Sequence, residues 1–179
     1  GSAVYISGKY RGDTHNIILT NVDSLRSYSR GYACNAGAHD ITFTDILIKD
    51  VQHPTSAPNS FDFLTSPHDK NYEPYHNYMI YNIKLINVDL DYNHNHGGFN
   101  FGQGVSVGDY SQHWEGKLCD NIYMEGCDAV DIAGAAFYTN KYVLHNSKII
   151  DCSAHGGFTG LGLIGNNLLL ENIKSYDND

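Results

Sequence analysis

The sequence predicts an all-β fold of stacked repeats, on three observations. An Asn or Asp is followed by an apolar residue three positions on, by a polar residue or Gly five positions on, and then by Val, Ile or Cys. This phrase occurs six times, at Asn16–Val22, Asp45–Val51, Asn82–Val88, Asn121–Cys127, Asn146–Cys152 and Asn167–Ile173. A second phrase, an aromatic after a small residue, falls once between each pair, at Tyr32, Phe61, Phe99, Phe137 and Phe158. Helical periodicity is absent, and the apolar residues alternate over short stretches broken by Asn, Asp and Gly, as strands and turns require.

In chain order, the first unit pairs Ile17 and Leu19 with Val22, and the third pairs Ile83 and Leu85 with Val88. The phrase starts are separated by 29, 37, 39, 25 and 21 residues. A unit this short cannot bury its own apolar face, so neighbours must stack with like above like. The expected core columns are Val22, Val51, Val88, Cys127, Cys152 and Ile173, and Tyr32, Phe61, Phe99, Phe137 and Phe158. The residue after each aromatic, namely Ala33, Asp62, Asn100, Tyr138 and Thr159, is expected to point outward. The cysteines read as buried structural thiols, with a Cys127–Cys152 disulfide conceivable on adjacent strands. No Cys-x-x-Cys zinc spacing occurs.

Short strands on a repeat of about 21 residues, with Asn at a recurring turn, resemble the right-handed parallel β-helix of the pectate-lyase-like superfamily. Asn suits such a turn because its side chain bonds local backbone, tolerates the left-handed region, and can pair with the amides above and below. The resemblance implies a single solenoid domain of about six coils over residues 1–179. The first and last coils break off in mid-pattern, so the expectation is a domain of a longer chain.

The chain has 179 residues, with 11 Lys and Arg against 20 Asp and Glu, a net charge of −9. That balance argues against a phosphate-tracking nucleic-acid groove. No apolar run is long enough to span a membrane as a helix, and no cleavable signal is visible.

Function is expected where the repeat is interrupted, because insertions in stacked repeats gather on one face. The surplus lies in two segments, about 66–77 and 102–118. The first carries His68, Tyr72 and Tyr75; the second carries Asp109, Tyr110, His113, Trp114 and Glu115. Aromatic rings beside carboxylates suit a sugar chain, whose ring faces stack and whose hydroxyls need acceptors. Asp62, Asn100 and Tyr138 would floor a groove beside them. The run Asp91–Gly98 adds Asp91, His94 and His96, with imidazoles suited to acid or base work near neutrality and flanking glycines that would admit a ligand close to backbone. His94 and His96, two apart, would also suit a metal. No cofactor is assigned, with Ca²⁺ left open.

Ser66-Pro67-His68-Asp69 is similar to the Asp-Pro-His-Glu motif of the alginate C5-epimerases, and Asn95 to Asn100 is similar to their Asp-Arg-His-Gly-Phe-Asn segment. The resemblance implies His68 as general base and Tyr72 or Tyr75 as acid, although the family's first Asp is Ser66 here and an extra Gly intervenes. Polygalacturonase motifs are missing. The arginines Arg11, Arg26 and Arg30 all precede the inserted segments, which does not match a pectate-lyase base. The expected function is an extracellular polysaccharide-modifying enzyme: a lyase, an epimerase, or a hydrolase using separated carboxylates such as Asp62 with Asp109 or Glu115. The alternative is a non-catalytic glycan-binding or structural module of a phage tailspike or surface adhesin, a homotrimer if tailspike-like. Either places the chain outside the cell, on its surface or on a virion, with polysaccharide as partner and neither nucleic acid nor membrane.

Overall fold

A computed structural model describes residues 2–7, 14–35, 37–52, 59–64, 80–94, 97–101, 117–139 and 143–179. Among them there is no helix, and every strand pairing is parallel. A six-stranded sheet follows chain order: Val4–Ile6, Tyr32–Asn35, Phe61–Leu64, Phe99–Phe101, Ala135–Thr139 and Thr159–Gly162. We call it the first sheet. The second sheet has twelve strands, including the 14-residue strands Ala38–Val51 and Ile80–Asn93.

These long strands bend at their middles. The early part of Ile80–Asn93 pairs with Lys117–Glu125, while its later part pairs with Asp128–Ile132. The cause is a left-handed residue every five positions. Positive φ occurs at Asn16, Asn21 and Arg26, then Asp40, Asp45 and Asp50, then Asn82, Asn87 and Tyr92, and the same spacing recurs at Asn121, Gly126 and Asp131. Asn146, Asp151 and Gly156 repeat it, as do Asn167, Asn172 and Asp177. Asn, Asp and Gly are the residues that enter this region at least cost. Each one shifts the alternation by a residue, so Ile80–Asn93 buries Ile80, Ile83, Leu85, Val88, Leu90 and Asn93.

Side-chain amides tie these positions together from repeat to repeat. Asn82 Nδ2 donates to Asp40 Oδ1 at 2.8 Å, and Asn121 Nδ2 to Asn82 Oδ1 at 2.8 Å. Asn167 Nδ2 donates to Asn146 Oδ1 at 2.9 Å. At the next bend, Asn87 bonds Asp45 and Asn172 bonds Asp151, each at 2.9 Å.

The register corrects the second phrase. Ile41 pairs with Ile83 and Ile46 with Val88, so Asp40, and not Asp45, is equivalent to Asn82. Ile46 therefore takes the column place expected of Val51, which pairs with Asn93 instead. The five-residue spacing makes one repeat read like the phrase twice, and the second reading was the misleading one.

The core lies between the two sheets. Phe43 of the second sheet meets Tyr32 and Phe61 of the first edge-on, with ring centroids 5.7 and 5.1 Å away. Tyr32, Phe61, Phe99 and Phe137 form the expected aromatic column, with neighbouring rings stacked at 5.6, 6.0 and 5.0 Å. The fifth place goes to Leu161, which pairs with Phe137, whereas Phe158 is 63% exposed. All four cysteines are buried and free. Cys127 and Cys152 occupy their expected column, with the Cys127 amide donating to Cys152 Sγ at 3.4 Å.

Candidate functional site

The residues following the core aromatics form a ladder across the first sheet: Ala33 pairs with Asp62, Asp62 with Asn100, and Asn100 with Tyr138. Tyr138 then pairs with Gly162, and Thr159 lies opposite Ala135, outside the column. The column is not the open floor expected of it. Ala33, Asp62 and Asn100 are buried, and only Tyr138 is partly exposed.

A carboxylate without exposed surface needs partners, because desolvating an unpaired charge is costly. Asp62 has three side-chain donors. Its Oδ1 accepts from Asn59 Nδ2 at 2.6 Å and from Asn100 Nδ2 at 2.8 Å, and its Oδ2 accepts from Arg30 Nε. The Arg30 side chain remains partly exposed, so the pair reaches the surface through it. Tyr138 joins through Asn59, its hydroxyl donating to Asn59 Oδ1 at 2.7 Å. Burial, and then the nearby Asp62 charge, push the Tyr138 phenol well above its ordinary value. It therefore stays neutral at physiological pH, with its hydroxyl proton engaged by Asn59.

Gly97 and Gly98 serve this packing. A Cβ on Gly97 would lie 2.4 Å from Tyr138 Cε1 and 2.8 Å from Asn59 Oδ1, and one on Gly98 would lie 2.5 Å from the Ala136 carbonyl. The room expected for a ligand is filled by the protein itself. Asn93, at the end of its strand, donates to Ser60 Oγ at 3.2 Å and to the Gly97 carbonyl at 2.9 Å, fastening the second sheet to the first.

Asp91 and His94 do not join the network described around Asp62. Asp91 pairs with Lys49 on the outer face of the second sheet. His94 Nε2 meets Asp50 Oδ1 at 2.8 Å, and Gln52 Nε2 donates to the same oxygen at 2.7 Å. The Gln52 bond, then the His94 bond, hold the Asp50 carboxyl below the usual range. His68, Tyr72, Tyr75, His96, Asp109, Tyr110, His113, Trp114 and Glu115 lie outside the described residues. Among the described residues no cluster of three metal-ligating side chains occurs, and the Asp62 oxygens are engaged by protein donors. They offer no fit for Ca²⁺.

Asn59 and Arg30 are the two members that the sequence reading did not place in a site. Arg30 stands two residues before the first aromatic of the ladder and Asn59 two before the second. Stacking brings Arg30 onto Asp62 although it precedes the long segments in sequence. Comparison with protein-family models, with curated proteins and with solved structures finds no match for the chain.

Proposed function

We propose that the chain is a right-handed parallel β-helix of about six coils that binds and modifies an extracellular polysaccharide alongside its first sheet. In this reading each coil contributes one short strand to the first sheet and two legs to the curled second sheet. The observation that carries it is the placement of Arg30, Asp62, Asn59, Asn100 and Tyr138 on and beside successive strands of one sheet. The two longest surplus segments depart from the same place, after Leu64 and Phe101, whose strands are paired neighbours. Tyr138, partly exposed and neutral, can hydrogen-bond a substrate oxygen, and the partly exposed Arg30 side chain offers a cation beside it. His68 and His96 are the candidates for the base. A lyase, an epimerase and a hydrolase each fit this division of roles.

A non-catalytic module, a tailspike or adhesin segment, is the second reading. One observation favours it: Asp62 is already engaged by three donors, which leaves it poorly suited to take a proton from substrate.

The test is incubation with uronic-acid, capsular and teichoic polymers, following chain length, new unsaturation and sugar configuration. Turnover by the wild type that falls at least about 100-fold in Tyr138→Phe and His68→Ala, with the fold retained, supports the enzyme. Binding without turnover moves the reading to the module, and a trimer in solution would strengthen it.

A further inference from the structure

We propose that a groove at the third bend of the second sheet is a separate binding subsite for an uncharged hexopyranose ring, with Tyr92 and Phe158 as its stacking surfaces. Tyr92, His94, Asp131, Gly156 and Phe158 line it.

Tyr92 is the first sign. Its φ is 65°, in a bend column otherwise filled by Asp50, Asp131, Gly156 and Asp177, with Arg26 at its start. A bulky aromatic in the left-handed region is an outlier that packing must hold in place, and such strain concentrates at ligand sites. Core burial does not hold it here, since Tyr92 is 45% exposed. The ring is instead steadied edge-on against His94, with centroids 3.9 Å apart, and His94 is fixed by Asp50. An ordered, half-exposed ring is what a sugar face stacks on at low entropic cost.

Phe158 supplies a second exposed ring on the same groove, and the residues before it shape the wall. A Cβ on Gly156 would fall 2.2 Å from Asp131 Oδ1, and one on Gly157 would fall 2.5 Å from the Ile132 carbonyl. The missing side chains leave Asp131 at the groove wall, where its carboxylate can accept from sugar hydroxyls. The described groove residues include no Lys or Arg. A uronate or sulfated sugar would meet the carboxylates of Asp131 and Asp179 there with no lysine or arginine to offset them, and would be repelled. The preference for a neutral ring follows.

Tyr138 is not among the residues lining this groove, and the subsite requires no turnover, so the two readings fail separately. The experiment is calorimetric titration of the whole chain with neutral hexasaccharides of β-1,4-glucan, β-1,4-mannan and chitin, and with hexagalacturonate. Wild type, Tyr92→Asn, Phe158→Ala and Tyr138→Phe are compared. At least one neutral hexasaccharide is expected to bind, with Tyr92→Asn and Phe158→Ala each weakening it at least about tenfold, whereas any binding of hexagalacturonate should be unchanged in both variants. Tyr138→Phe should leave that binding unchanged. Tyr92→Asn should also raise the Tm, since Asn relieves the backbone strain; lost binding is then not lost folding. Absence of binding by every neutral hexasaccharide overturns the proposal. So does wild-type affinity in either groove variant, or hexagalacturonate binding that Tyr92→Asn or Phe158→Ala weakens as much as it weakens the neutral ligand's.

Discussion

Asp62 makes the sharpest demand of any single residue, because a fully buried carboxylate tolerates no loss of its cation. Breaking a buried ion pair from one side leaves an uncompensated charge, whereas replacing both partners with neutral groups is far less harmful. Arg30→Met should therefore cost about 3 kcal/mol, and the double variant Arg30→Met/Asp62→Asn should recover at least half of that loss in urea unfolding. Equal instability of single and double variants would show that Arg30 matters for packing alone. A second residue-scale case is Asp89, which lies opposite Asp128 on the neighbouring strand. Desolvation, then the Asp128 charge, raise the Asp89 pKa. A carboxyl raised on folding is harder to ionise in the native state, so its penalty grows as pH passes upward through the unfolded value near 3.9. Asp89→Asn should accordingly stabilise the protein by about 0.5 kcal/mol at pH 7 and leave stability unchanged at pH 3, as a pH series of Tm values would reveal. Sequence pattern picked out Asp62, Asn100 and Tyr138 as one column. It could not tell that the column is buried, since exposure depends on what covers a strand, and period-two alternation reports only which face a residue takes.

The strand is the scale at which sequence reading did best and also where it slipped. Tyr32, Phe61, Phe99 and Phe137 stack as their spacing predicts, because each follows a small residue at the same point of its repeat. Phe158 mimics that local phrase but sits three residues too early: Leu161 holds the register with Phe137. The two rings should respond very differently to truncation. Phe99 is fully buried between Phe61 and Phe137, so Phe99→Ala should cost about 3 to 5 kcal/mol through the cavity it opens. Phe158→Ala should stay within about 0.5 kcal/mol, as substitutions at exposed positions do. Denaturant midpoints of the two variants decide the matter, and a large loss at Phe158 would return it to the core. The misplaced phrase at Asp45 has the same root. Bends recur every five residues within a repeat, so Asp40 and Asp45 offer nearly identical local text, and only cross-strand pairing distinguishes them.

At the scale of the whole molecule, parallel stacking makes each repeat depend on its neighbours, and stability in such arrays is close to a sum of unit and interface contributions. One core column displays the gradient. Phe43, Leu85, Met124 and Ile149 pair in succession and are buried, while Leu170, next in the same register, is 45% exposed. The burial that holds Leu85 between two neighbours holds Leu170 from one side only. Hydrogen exchange in this 179-residue chain should therefore be graded. Amides of Ile80–Asn93, paired on both sides, should exchange only through the largest opening, and those of Leu169–Glu171 and Lys174–Tyr176 should exchange orders of magnitude faster. Mass-spectrometric exchange at neutral pH reads this directly. Uniform protection across both regions would mean that the repeats open as a single unit, and the nearest-neighbour account of stability would have to be given up. A gradient would identify the central repeats, which carry Asp62 and Asn100 with their partners, as the rigid part of the molecule, and would explain why a buried ionic network can be held there.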